Sequence, residues 1–137
     1  HQAETRPRDE EAGAIVNICT LAARRTLPHL LPYSVAAAAQ EQLTRSQAVD
    51  LATARIRVNG VALGGVITPS LRECMRNDDT LSDRLIAATP LGRIGEADEA
   101  AEAALFLASP GASFITGQIL TVDGGRSIVD RLDQPAS

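Results

Sequence analysis

Between residues 14 and 62 the chain passes from a short apolar run to a long run of helix formers and back to an apolar run. That alternation leaves few folds open to it. Ala14-Ile15-Val16-Asn17-Ile18 is continuous and rich in β-branched residues, with Asn17 its polar exception, the pattern of a strand buried on both faces. Residues 34–50 read as a helix, because the run Ala36-Ala37-Ala38-Ala39 has the highest intrinsic helix propensity. Leu43, Ser46, Ala48 and Val49 continue it, a face suited to packing on a sheet and on a neighbouring subunit. Residues 56–62 form a second apolar run. Strand, long helix, strand is a βαβ unit, and it predicts parallel strands.

The rest of the chain extends this unit. Leu63-Gly64-Gly65-Val66-Ile67-Thr68-Pro69 turns away from the second strand. Residues 71–90 are polar, include Asn77-Asp78-Asp79, and predict a mobile covering segment. A helix follows over residues 97–109, with Asp98, Glu99 and Glu102 early, where the helix dipole favours acids, and Pro110-Gly111 as its stop. Ile119-Leu120-Thr121-Val122 is a third strand, closed by Asp123-Gly124-Gly125. Residues 1–13 read as a flexible arm and 127–137 as a tail, leaving an α/β domain over 14–126.

Composition narrows the partners. At 137 residues the chain fits one domain, which buries about two thirds of its unfolded surface. It is 45% apolar but only 2% aromatic, so its core is built from Ala, Leu, Ile and Val. The net charge is −4 and no basic block is present, which argues against a nucleic-acid partner. Prolines, a histidine and charges interrupt every apolar stretch, which argues against a membrane span. The polar first thirteen residues do not resemble a signal peptide. Cys19 and Cys74 have neither metal-ligand spacing nor the look of a disulfide framework, and predict a reducing, cytoplasmic setting. All 13 basic residues are arginine.

Tyr33 is the only tyrosine, and Thr20 precedes it by thirteen residues. The pattern Gly-Ala-Ile-Val-Asn-Ile-x-Thr, loop, Tyr-Ser, then Leu43-Thr44-Arg45-Ser46 resembles the active-site segment of the short-chain dehydrogenase/reductase family. Ile-Arg-Val-Asn-Gly-Val-Ala, Gly-Gly-Val-Ile-Thr-Pro, Pro-Leu-Gly-Arg-Ile-Gly-Glu and Phe114-Ile-Thr-Gly-Gln-Ile-Leu-Thr-Val-Asp-Gly-Gly extend the match to Arg126. The resemblance implies the C-terminal half of a doubly wound, Rossmann-like parallel sheet, with three parallel strands and their crossover helices. The glycine-rich dinucleotide fingerprint of the first half is not in this sequence.

The same resemblance implies hydride transfer between NAD or NADP and a carbonyl or alcohol. Tyr33 would be the proton donor or acceptor, Thr20 the hydroxyl that bonds the substrate oxygen, and Gly64, Gly65, Val66, Ile67 and Thr68 the residues beside the nicotinamide end. Free tyrosine titrates at about 10 and is a poor base at neutral pH unless a cation favours its phenolate. The family places a lysine four residues after the tyrosine for that purpose; here the position is Ala37. Arg45 lies about 18 Å farther along a helix, and Arg24 and Arg25 are the loop cations within swinging range of the phenol. Three readings follow: part of an oxidoreductase of this family, a catalytically degenerate subunit that pairs with an active member, or a small-molecule or nucleotide-sensing regulator on the same scaffold. Tight cofactor binding by this chain alone is not expected. Cys19 and His29 are weaker catalytic candidates, Asn17 and Asn59 read as strand-end hydrogen bonders, and Asp123 as a turn closer. The unpaired outer edge of residues 14–18 and the small-residue helix predict a homo-oligomer or a related subunit as partner.

Overall fold

The computed structural model describes residues 13–130. Three parallel strands, β1 (Gly13–Thr20), β2 (Ile56–Leu63) and β3 (Ile119–Val122), form one sheet in the order β1-β2-β3. Helix α1 (Leu31–Asp50) connects β1 to β2, and α2 (Pro69–Asn77), α3 (Leu81–Ala87) and α4 (Ala97–Ala108) lie between β2 and β3. The arm expected over 1–13 lies outside the described residues except for Gly13, which opens β1, and most of the expected tail, 131–137, lies outside them too. No helix among the described residues is long and apolar enough to cross a membrane.

Strand β2 is the centre. In register, Gly60 of β2 lies opposite Asn17 of β1 and Arg57 opposite Ala14, so alternation along the strands assigns each residue to one face. Asn17 donates to Thr44 Oγ1 of α1 at 2.9 Å, while Arg57 donates to the carbonyl oxygens of Leu107 at 2.6 Å and Ser109 at 3.1 Å, at the end of α4. Residues 17 and 57 therefore mark opposite faces, and α1 and α4 cover one each. Val58 and Val61, on the two faces of β2, are both fully buried. The guanidinium of Arg57 also satisfies carbonyls that the last turn of α4 leaves without helical partners.

Asn59 fixes how β3 arrives. Its side chain is 1% exposed; Nδ2 donates to the Ile115 carbonyl at 2.9 Å and Oδ1 accepts from the Gln118 amide at 3.0 Å. On either side, Val58 N–H donates to Thr116 Oγ1 at 3.1 Å and the Val58 carbonyl accepts from Gly117 at 2.7 Å. The expected role of Asn59 as a hydrogen bonder is thus found, directed at the segment that delivers β3.

Two expectations are corrected. Strand β1 is not buried on both faces: only Cys19 in it is fully buried, and Ile15 and Ile18 are exposed, because no described strand lies beyond it. Helix α1 begins at Leu31, three residues before the expected start, since proline is tolerated in a first helical turn and pre-sets its φ; Tyr33 therefore lies within that turn. Residues 71–90, expected as a covering segment, are mainly two short helices. Thr68 Oγ1 caps α2 by accepting from Leu71 N–H at 3.1 Å, and Leu85 of α3 is buried.

At the start of α4, Glu99 accepts from both guanidinium nitrogens of Arg93 at 2.6 and 2.7 Å and from Glu96 N–H at 2.8 Å. The bond to Arg93, then that to the Glu96 amide, holds its carboxyl down to about 2, against an ordinary 4.5. A depressed folded-state value means the stabilisation is complete above pH 4.5 and is lost as pH falls toward 2. Urea midpoints recorded across that window should fall with acidification, and Glu99→Gln should flatten the slope. For Asn59→Ala, which strands the Ile115 carbonyl and the Gln118 amide, equilibrium urea denaturation should show a loss of roughly 2 to 4 kcal/mol.

Candidate functional site

The C-terminal ends of β1 and β2, where parallel α/β sheets place their ligand crevices, open into a cleft of about 430 Å³. Thr20 comes from the end of β1, Tyr33 and Ala37 from the first turns of α1, and Gly64, Gly65, Val66 and Thr68 from the exit of β2. Six of the seven residues expected to form the site thus share one cavity. Ile67 does not line it; its N–H donates to the Gly95 carbonyl at 2.8 Å, joining the loop to the segment before α4.

Local chemistry sets each side chain. Thr20 is half-buried, and its hydroxyl accepts from Ala22 N–H at 3.3 Å, which caps the short 3-10 turn Leu21–Ala23 and turns the chain out of β1. The loop ends at His29, with φ +64°, a turn position rather than part of the cleft wall. Tyr33 is half exposed, so its phenol is open to a ligand. Helix α1 turns Ala37, Glu41, Thr44 and Ala48 inward, a spacing of three and four that forms one narrow stripe.

One turn beyond Ala37, Glu41 is 4% exposed and lies 3.0 Å from Arg24 Nε and 2.9 Å from Arg45 Nη2. Both guanidiniums are therefore held on a buried carboxylate, and Arg25 donates through Nη2 to the carbonyl of Ser127. None of the three arginines weighed as a replacement cation lines the cleft beside Tyr33. Cys19 is on the cleft floor but buried; desolvation, then the Glu41 charge, pushes its thiol up, so it behaves as a small apolar group.

Gly64 and Gly65 differ in what their missing side chains allow. A Cβ on Gly64 would lie 2.4 Å from Asp123 Cβ, so this glycine lets the exit of β3 pack against that of β2. A Cβ on Gly65 would meet only Leu85 Cδ2 at 3.7 Å and Arg126 Nη1 at 3.9 Å, leaving the loop surface open toward the cleft. Asp123 closes its turn as expected, accepting from Gly125 N–H at 2.8 Å and Ser127 N–H at 2.7 Å. Burial alone would raise its carboxyl, but these hydrogen bonds and the Arg126 charge hold it low. Gly124, at φ +62°, completes the turn where a Cβ would lie 2.6 Å from Thr89 Cγ2. Arg126 on the cleft wall was not among the residues expected there. It lies more than a hundred residues from Thr20, and only the packing of β3 beside β2 brings it in.

Residues 2–127 match the family model described as Enoyl-(Acyl carrier protein) reductase. The 7alpha-hydroxysteroid dehydrogenase of Escherichia coli strain K12 is 39% identical over 113 residues, which are 82% of this chain and 44% of that protein. A gluconate 5-dehydrogenase from Burkholderia cenocepacia J2315, solved with NADP and tartrate, superposes with a TM-score of 0.81 at 38% identity, over 87% of this chain and 46% of that one. An oxidoreductase of the short chain dehydrogenase/reductase family from Burkholderia thailandensis superposes at 0.80 with 33% identity, covering 88% of this chain and 47% of that one. The chain therefore spans less than half the length of these relatives. With matched sequence, matched sheet and the Thr20 and Tyr33 positions at one crevice, the chain belongs to the short-chain dehydrogenase/reductase family.

Proposed function

We propose that this chain supplies the substrate-holding and proton-handling part of an NAD(P)-dependent oxidoreductase that acts on a carbonyl or an alcohol. The observation that carries this reading is the single cleft shared by Thr20, Tyr33 and the loop Gly64, Gly65, Val66 and Thr68. The nicotinamide end of a dinucleotide fits the open Gly65 surface and the backbone that runs from it to Thr68. When bound there, that group would supply the hydride. Thr20 then orients the substrate oxygen by a hydrogen bond, and Tyr33 gives a proton to that oxygen or takes one from it. Leu71 and Leu85, from α2 and α3, wall the cleft on its far side, where apolar groups exclude water from the reacting atoms.

Ala37 supports a second reading, a catalytically degenerate subunit paired with an active family member. It lines the cleft where the family carries its lysine, and none of Arg24, Arg25 and Arg45 lines the cleft with it. An assay of the polypeptide bearing this sequence with NADH and NADPH against ketones and aldehydes tests the first reading. Turnover is expected to be slow at neutral pH, and Tyr33→Phe should abolish it. Ala37→Lys should raise the rate by roughly 10²-fold, within the range of general acid-base effects, and move the pH profile toward lower pH. Wild-type turnover that Tyr33→Phe leaves unchanged would remove the proposed proton step, and no turnover even with Ala37→Lys would favour the degenerate subunit.

A partner subunit is part of the same proposal. The outer edge of β1 pairs with no described strand, with Ile15 and Ile18 exposed beside it. On α1, Leu31, Val35 and Leu43 fall in one exposed row and Val49 is exposed farther along. Bare edges and apolar rows of this kind are surfaces that proteins cover. Sedimentation should show a homo-oligomer or a hetero-complex, and hydrogen exchange should show slow exchange along β1; a folded monomer with fast exchange there would remove the assembly.

A further inference from the structure

Residues 20–25 form one hydrogen-bonded unit. Thr20 Oγ1 accepts from Ala22 N–H at 3.3 Å, and the Leu21 carbonyl accepts from Arg24 N–H at 2.9 Å and from Arg25 N–H at 2.8 Å. A displacement of Arg24 is therefore passed on to Thr20. The Thr20 hydroxyl is the acceptor in its bond, so the turn fixes the oxygen without using the proton that a substrate oxygen would accept.

The side chain of Arg24 leaves this unit and crosses to α1. Its Nε lies 3.0 Å from Glu41 Oε1 and donates to Oε2 at 3.1 Å, and its Nη1 reaches Thr121 Oγ1 on β3 at 3.5 Å. Glu41 follows Tyr33 on the same helix by eight residues, about 12 Å along the axis. Arg45 also donates to Glu41 Oε2, at 2.9 Å, but it stands on α1 itself. Among the described residues, then, it is the Arg24 pair that joins the turn bearing Thr20 to the helix bearing Tyr33. The energetic cost of Glu41 argues that this link serves direction. Glu41 is 4% exposed, in an inward stripe otherwise made of Ala37, Thr44 and Ala48. Withdrawing a carboxylate from water costs about as much as its ion pairs return, and a well-packed apolar side chain there is often no less stable. What an apolar side chain lacks is a fixed partner and a fixed angle.

We propose that Glu41 is a positioning residue of the reaction proposed above. Through Arg24 it holds the Thr20 hydroxyl at a fixed place relative to the Tyr33 phenol, so that one substrate oxygen meets both. The proposal rests on the oxidoreductase reading for its effect on turnover, whereas the link itself is measurable without turnover.

Residue-resolved hydrogen exchange at the Ala22 and Arg24 amides tests the link. Glu41→Gln, which keeps the shape and removes the charge, and Arg24→Ala should each speed exchange there about tenfold or more, with the Val58 and Gly60 amides of β2 staying within about twofold of wild type. Arg45→Ala removes the pair that lies within α1 and should leave Ala22 exchange within about twofold. Arg24→Lys, which keeps the charge but not the planar fork, should fall between wild type and Arg24→Ala. If Glu41→Gln does not fold, the three arginine variants carry the test. Wild-type exchange at Ala22 in Arg24→Ala, equal loosening in Arg24→Ala and Arg45→Ala, or exchange in β2 that rises in step with Ala22 would each assign Glu41 to stability alone and overturn the proposal. In the turnover assay, with or without Ala37→Lys, Arg24→Ala should lower kcat roughly 10- to 100-fold and leave the KM for the cofactor within about twofold, with Arg24→Lys recovering part of the rate. Turnover that Arg24→Ala leaves unchanged would overturn the positioning role while leaving the oxidoreductase reading in place. No turnover in any form, with Ala22 exchange still dependent on Arg24, would overturn that reading and the positioning role with it, leaving only the link.

Discussion

The hydrogen bonds that radiate from Asn59 and its neighbours in β2 are the constraint on which the other parts depend. A buried amide side chain must find partners or destabilise the fold, and these partners are backbone groups of the segment just before β3. By fixing residues 115–118, β2 fixes the register at which β3 begins, Gly60 opposite Ile119. That register carries Asp123 onto Gly64 and Arg126 over Gly65. One buried asparagine in the central strand therefore sets the far wall of a cleft whose near wall is Thr20 and Tyr33.

The near wall is set by electrostatics of a different kind. Glu41 is a carboxylate almost wholly out of water, which is tolerable only because Arg24 and Arg45 lie on it. Arg24 comes from the turn after Thr20 and Arg45 from the next turn of α1, so the triad ties the exit of β1 to the helix that bears Tyr33. Asn17 to Thr44 is a second tie between the same two elements. The relative placement of Thr20 and Tyr33 thus depends on a buried charge cluster one turn away from the position where the family carries its lysine.

These two walls differ in what they offer chemically. The residues that α1 brings beside Tyr33 are uncharged, Ala36, Ala37 and Gln40, and Arg126 enters the same cleft from the turn after β3. Around Thr20 the cleft gains arginine on its other side.

The sequence alone determined the elements and their order. Stretches rich in β-branched residues at 14–18, 56–62 and 119–122 and the alanine run in α1 are local signals that depend on side-chain shape and propensity, and the parallel sheet followed from the strand, helix, strand order. Thr20 and Tyr33 were singled out by the resemblance of their segment to the family's active-site pattern, and the fold brings both to one cleft. Tertiary structure decided what depends on groups distant in sequence. Ile15 and Ile18 are exposed because strand order made β1 an edge, Leu85 of α3 became buried, and Arg126 joined Thr20 at one cleft because β2 hydrogen bonds hold β3 in register. Hydrophobic pattern and propensity act between near neighbours in the chain, whereas burial, charge pairing and cleft walls are properties of residues that only folding brings together.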